Sequence, residues 1–359
     1  MRLALDTQST LGHKTGIGHY TARLLAALRC VAPEHEYVEL NWGREVVMRI
    51  DRRLRWQQFE LPRRARAAHS QLLHVPGFDA PLWKPGPVVL TVHDLIGMLF
   101  PRNLPPISRL YWARWLPFTV RAADAIIADS ENTRRDLLRL LRLPPEKITV
   151  APLGVDERFR PASQGQKTDS RARYNLPEDF ILYVGTLEPR KGIDTLIEAF
   201  ARLAAEHPHH LVLAGKRGWY WEPILQRIAA HGLEERARVL DYVPDDDLPV
   251  LYASAAVFAF PSRYEGFGLP PLEAMACGTP VVCSNAASLP EVIGDAGMMV
   301  APNDVNALAR ALTQVLGDAH LQAELRERGL RWAPGFTWEQ TARQTLEVYH
   351  RVLSRGESQ

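Results

Sequence analysis

Short apolar runs alternate with longer amphipathic stretches from one end of the chain to the other. That rhythm belongs to α/β units built on parallel sheets. In the first half the runs predict strands over 2–6, 37–42, 72–75, 88–92, 125–129 and 148–151. After Gly18, the residues Tyr20, Leu24, Leu25 and Leu28 recur at helical spacing and mark one apolar helix face. Ser130 follows a strand and precedes a helical stretch over 131–142, where its hydroxyl would cap the first turn. Between 161 and 177 the apolar period is lost among Ser, Gln, Gly, Lys and Asp, and this stretch reads as a linker.

A second unit then starts with a strand over 180–184 and a helix over 193–206. Further strands are predicted at 211–214, 239–242, 257–260 and 280–283. Thr337-Trp-Glu-Gln340 has the spacing of a capping box opening a last helix. The expected fold is α/β, with two Rossmann-like doubly wound domains over 1–165 and 175–335. A C-terminal helix over 336–359 is expected to pack back on the first. Such sheets bind ligands beyond the carboxyl ends of their strands, so a cleft between the domains is expected.

A chain of 359 residues that is 46% hydrophobic supports two cores. Charge divides them. Through Pro161 there are 24 Lys and Arg against 16 Asp and Glu, and beyond it 19 against 25. A basic first half suits anionic lipid or a phosphate-bearing acceptor. No nucleic-acid recognition module is visible. Three scattered cysteines, Cys30, Cys277 and Cys283, fit no zinc spacing and point to a reducing compartment. Asp6 falls where a signal peptide would still be apolar, and no apolar run approaches the roughly 20 residues of a membrane span. The expected location is cytoplasmic, with at most peripheral contact on the inner membrane face. Arg52-Arg-Leu-Arg-Trp56, Arg63-Arg-Ala-Arg66 and Tyr111-Trp-Ala-Arg-Trp-Leu-Pro-Phe118 read either as a membrane-docking surface or as core-packed tryptophans beneath a solvated arginine face.

The densest chemistry lies in Arg263-Tyr-Glu-Gly-Phe-Gly-Leu-Pro-Pro-Leu-Glu273, between two apolar strands. Glu265 sits at a strand end. Gly266 and Gly268 allow close backbone approach to a ligand. Pro270 and Pro271 suit a first helical turn. The N–H groups of Phe267, Gly268 and Leu269 would face anionic or hydroxyl oxygens. Glu273, one turn further, is placed to accept two hydrogen bonds from a ribose diol. In a second segment, Gly185 to Gly192, Arg190 and Lys191 stand where a helix begins and its dipole attracts anions. Two fixed cations there suit a pyrophosphate with no metal. Gly16-Ile-Gly-His-Tyr20 opens a helix, and His93-Asp94 ends an apolar strand. Asp245-Asp-Asp247 has the Asp-x-Asp spacing of some metal sites, but acids at a helix N-terminus explain it fully.

Glu265 and Glu273, with seven residues between them, resemble the E-x7-E signature of glycosyltransferase family 4, which has the GT-B fold. The likeness extends to Gly16-Ile-Gly-His-Tyr20, Val92-His-Asp94, Ala128-Asp-Ser130, Pro152-Leu-Gly-Val-Asp156 and Tyr183-Val-Gly-Thr-Leu-Glu-Pro-Arg-Lys-Gly192. The resemblance implies a retaining, metal-independent hexosyltransferase with no cofactor. Its substrates would be a nucleotide-sugar donor and a glycan or lipid-linked acceptor. It implies Glu265, His93 and Asp94 as catalytic residues. Donor binding would fall to Gly16, Gly18, Thr186, Arg190, Lys191, Val243, Gly266, Phe267, Gly268, Leu269 and Glu273. Many members carry Arg where this chain has Thr186, so Arg190 and Lys191 would carry the leaving diphosphate alone. Glu265 is either a nucleophile or an electrostatic stabiliser. The Gly-Thr-Leu-Glu-Pro-Arg-Lys variant resembles mannosyltransferase-like members, which favours GDP-mannose over UDP-sugars. A GT-B epimerase or a non-catalytic sugar-nucleotide-binding protein are the rival readings.

Overall fold

The computed structural model describes residues 1–12, 16–44, 49–77, 79–216 and 221–357. Its contacts divide the chain into two units: Met1–Gly154 together with Thr337–Gln359, and Val155–Phe336.

The first unit is built on six parallel strands: β1 (Arg2–Asp6), β2 (Glu36–Leu40), β3 (Leu72–Val75), β4 (Val88–Val92), β5 (Ala125–Ala128) and β6 (Ile148–Val150). Their order is β2-β1-β3-β4-β5-β6. Strands β3, β4 and β5 are buried along their whole length, as apolar runs covered on both faces must be. Two helical stretches on this unit contain a π turn, at Trp56–Glu60 and Tyr111–Trp115. Each is followed at the second position by a proline, Pro62 or Pro117. A proline cannot donate to the carbonyl four residues back, so the ladder slips by one residue there.

The second unit repeats the plan with β7 (Phe180–Val184), β8 (His210–Ala214), β9 (Ala237–Leu240), β10 (Val257–Phe260), β11 (Val281–Ser284) and β12 (Met298–Val300). The order is β12-β11-β10-β7-β8-β9, again parallel. The strand sequence reverses between β7 and β10, and such a switch point is where these sheets bind ligands.

Two expectations need correction. The stretch over 161–177 is not an open linker. Gln164–Tyr174 is a helix, closed at its start by a full capping box between Ser163 and Gln166, and it packs on the helix Leu248–Ser254. Its few apolar residues hid the helical period, while the capping pair was there to be read. Strand β12 was not anticipated, because three half-buried residues leave no apolar run. Ser130 does cap the helix Glu131–Leu141, accepting the Thr133 N–H at 3.1 Å. Thr337 Oγ1 accepts the Gln340 N–H at 3.2 Å.

The helix Trp338–Glu357 belongs to the first unit and packs along the helix Gly16–Val31. Buried Tyr349 bonds the His74 imidazole at 2.6 Å, and His74 bonds Thr91 at 2.8 Å. Gly154 has no room for a side chain, since a Cβ would lie 2.2 Å from the Trp338 nitrogen.

Candidate active site

At the switch point of the second unit, the loops after β7 and β10 are tied by their backbones. The Arg263 N–H donates to the Arg190 carbonyl at 2.8 Å. Gly192, at φ +69°, presses against Pro261, whose carbonyl oxygen would lie 2.1 Å from any Cβ. Only glycine adopts that conformation in that space without strain. The helix Ile193–Leu203 starts immediately after it.

This tie holds Arg190 and Lys191 around Glu265. Lys191 Nζ donates to both Glu265 oxygens, at 2.7 and 3.0 Å. Arg190 lies 3.3 Å from Oε2, and the Ser262 hydroxyl donates to Oε1 at 2.5 Å. Arg190 also donates to the Tyr264 carbonyl and to Glu188 Oε1, both at 2.5 Å. Lys191 stands 5.4 Å above the Phe260 ring. Glu265 is only 8% exposed. Burial alone would raise its carboxyl, but Lys191 and Arg190, with the bonds from Lys191 and Ser262, outweigh that and hold it below the usual carboxylate range.

Glu273 differs. It lies within the helix Leu269–Ala276, which opens with Pro270 and Pro271 in its first turn. Its carboxylate accepts one bond, from the Tyr252 hydroxyl at 3.0 Å. Burial pushes its carboxyl up to about 7, against the lowering effect of Tyr252 and Arg158. Tyr183, Phe260, Phe258 and Tyr252 form an aromatic ladder between the two acids, with ring centres 5.3–6.0 Å apart. Gly266, Phe267 and Gly268 are buried beside Glu265, and Leu269 is half-buried. Ser288 fixes this turn by donating to the carbonyls of Glu265 and Phe267. Thr186 is exposed, and its carbonyl accepts the Tyr183 hydroxyl at 3.3 Å. Val243 is buried just beyond β9.

In the first unit, His93 follows β4. Its Nδ1 faces Asp129 Oδ2 at 2.7 Å and its Nε2 faces the Pro76 carbonyl at 2.9 Å. Both partners accept, an arrangement that favours the doubly protonated imidazole. Burial would lower its pKa, but Asp129, through charge and hydrogen bond, raises it above the ordinary histidine value. The carboxylate that orients His93 is therefore Asp129. The Asp94 side chain instead accepts the Ile96 N–H at 2.9 Å, closing the turn that leads into the short helix Ile96–Leu99. Tyr20 meets the His93 ring edge-on at 4.7 Å. Gly77 lies between Ile17 and His93, which brings the Gly16–Gly18 turn beside the histidine. Gly16 is exposed and Gly18 buried at the start of the helix Gly16–Val31.

The acids of the Asp-x-Asp stretch are separately engaged: Asp245 with Tyr242, Asp246 with Arg158, and Asp247 with Arg173 and Tyr174. Among the described residues no group of three His, Cys, Asp or Glu is placed to hold a metal ion. Sequence reasoning missed Glu188, Ser262, Tyr183, Tyr252 and Asp129. Of these, Asp129, Tyr183 and Glu188 stood inside motifs already singled out. The others became visible only when separate strand ends met.

Two parallel sheets in one chain, one carrying a basic pair and twin carboxylates at its switch point, define the GT-B class of glycosyltransferases. Solved structures agree on the fold. Sucrose-phosphate synthase from Thermosynechococcus elongatus superposes with a TM-score of 0.77 over 99% of this chain and 100% of that one, at 24% identity. Anabaena HepE in complex with UDP and glucose gives 0.74 over 97% and 99%, at 19% identity. Residues 19–159 match the model of Glycosyltransferase Family 4, and residues 166–332 that of Glycosyl transferases group 1. The chain is 34% identical to O-antigen chain mannosyltransferase B of Escherichia coli over 97% of its own length and 99% of that protein. It is 33% identical to the serotype-specific mannosyltransferase WbdA of Escherichia coli, of which the match spans only 36%. The chain belongs to glycosyltransferase family 4 and is a nucleotide-sugar-dependent glycosyltransferase.

Proposed function

We propose that the chain transfers mannose from GDP-mannose, with retention of configuration and without a metal, to a glycan or lipid-linked acceptor. The observation that carries this reading is the closed cluster of Lys191, Arg190, Ser262 and Glu265. Two cations at one strand end supply the positive charge that a diphosphate leaving group needs as its bond to the sugar breaks. In this reading the acceptor oxygen enters on the face the phosphate leaves. The C1–O bond to phosphate breaks, the new C1–O bond forms, and the leaving phosphate oxygen takes the acceptor proton. Both oxygens of Glu265 are occupied by donors, which favours an electrostatic positioning role over that of a nucleophile. Glu273 receives the ribose diol. The glycine turn, Val243, Thr186 and the N–H groups of 267–269 border the donor. Cationic His93, held by Asp129, offers a fixed charge toward the sugar, and Asp94 shapes the adjoining turn. The likeness to an O-antigen chain mannosyltransferase supports mannose and an acceptor borne by lipid.

The test is a thermal-shift screen of nucleotide diphosphates, followed by transfer from the stabilising donor and anomer assignment by NMR. GDP and GDP-mannose should raise the melting temperature, since ligand at a hundred times its Kd adds about 2.7 kcal/mol. The product should be the α-anomer, and chelator should leave the rate unchanged. Stabilisation by UDP-sugars alone would remove mannose, and an inverted product would remove retention.

A further inference from the structure

Eight large apolar side chains stand exposed among the described residues, and six belong to three adjoining stretches of the first unit. They are Phe59, then Leu82 and Trp83, then Ile107, Leu110 and Phe118. The stretches are in contact. Gln58 exchanges hydrogen bonds with Ala80 and Leu82, Arg66 lies 5.9 Å over Trp83, and Arg53 lies 4.4 Å over Tyr111.

The inward faces of these helices are already committed. Trp56, Leu61 and Ala65, and Tyr111, Leu116 and Val120, lie in the core. The tryptophan at 56 is thus a core residue, but the outer faces are not the polar surfaces a solvated helix presents. Ile107, Leu110, Arg114, Phe118 and Arg121 follow one another at steps of three or four and are all exposed. Arg52, Arg55, Phe59, Arg63 and Arg66 do the same. Residues 101–122 carry four arginines and no acid, and residues 49–67 seven arginines against two acids. One of those acids, Glu60, is taken by Arg55 and Trp42.

We propose that this face docks the protein on an anionic lipid bilayer, the apolar side chains entering the headgroup boundary and the arginines pairing with lipid phosphates. Apolar residues flanked by arginine on one helix face bind such an interface by both terms at once. The inference deepens the reading of a lipid-linked acceptor and rests on it for its purpose, since an enzyme held at the surface meets its acceptor there.

The test is co-sedimentation of the full chain with phosphatidylcholine vesicles, with and without phosphatidylglycerol, at rising salt. Binding should require phosphatidylglycerol and fall with salt. An arginine at an anionic surface contributes about 1 kcal/mol, or about fivefold in partition. Replacing Arg63→Ala and Arg114→Ala together should therefore weaken binding about 25-fold. Ile107→Asp with Phe118→Asp should weaken it at least as much. Thermal melting and the GDP-induced shift should stay at wild-type values in both variants. Equal partition of variants and wild type, equal binding to neutral vesicles, or a dimer in sedimentation equilibrium dispersed by the same substitutions would overturn the proposal. Vesicle binding is read without any sugar transfer. A chain that binds vesicles but transfers nothing would refute the proposed activity and leave this surface standing.

Discussion

Glu273→Gln separates the cost of burying this carboxylate from its proposed use in holding the ribose. In the folded chain the Glu273 carboxyl titrates near 7, against 4.5 for the free side chain, because burial penalises the charge and Tyr252 supplies only one compensating bond. A proton held more tightly by the folded state gives stability that is complete below about 4.5 and is lost as pH rises through about 7. The separation corresponds to at most about 3.5 kcal/mol, at about 1.4 kcal/mol per pH unit. Glu273 is half-buried rather than sealed, so water screens the charge and about 1–2 kcal/mol is the expected cost at pH 8. Glutamine keeps an oxygen for the Tyr252 hydroxyl and carries no charge. The variant should therefore melt about 2–8 °C above wild type at pH 8 and at the same temperature at pH 4.5. Its affinity for GDP should fall about fivefold to tenfold, as a charge-assisted bond to the ribose becomes a neutral one. Calorimetry at the two pH values and a GDP titration read both effects. Equal melting at pH 8, or a difference independent of pH, would refute the account of Glu273 as a strained acid.

Lys191→Met should cost about 3 kcal/mol, because it leaves Glu265 buried with its main cation gone. Adding Glu265→Leu should recover about 1–3 kcal/mol of that in denaturant melts, and additive losses would show that the pair is not coupled. Gly192→Ala should lower stability by more than about 2 kcal/mol, since its Cβ would strike the Pro261 carbonyl at a positive φ; melting within a degree of wild type would contradict this. Asp129→Asn should lower the His93 pKa toward the ordinary value. Protonated His93 stabilises fully below about 6.5 and its contribution fades as pH rises through its raised pKa, so the variant should lose that contribution at lower pH, as imidazole NMR titration would report.

The strands were legible wherever apolar runs were long, because a parallel sheet buried on both faces leaves no other pattern at β3, β4, β7 and β10. Strand β12 and the helix Gln164–Tyr174 escaped because neither is mostly buried, and periodicity reports burial before it reports backbone shape. At the site, the carboxylates and the basic pair were visible as types, but their pairing was not. Lys191 and Glu265 are 74 positions apart and meet only because β7 and β10 are neighbours. The sequence pairs His93 with its neighbour Asp94, whereas the structure sets it against Asp129. Sequence neighbours at a strand end point in different directions, while the next strand of the sheet presents its own terminus to the same place.

Because Trp338–Glu357 returns to the first unit, the chain crosses between units twice, at Gly154–Val155 and at Phe336–Thr337. The Val155 N–H donates to the Phe336 carbonyl at 3.0 Å, so the second unit begins and ends at one spot. It is a cassette set into its host. It could be exchanged for that of a relative by two splices at neighbouring points. Cutting the polypeptide before Thr337, by contrast, would strip a structural wall from the half that does not contain the cut.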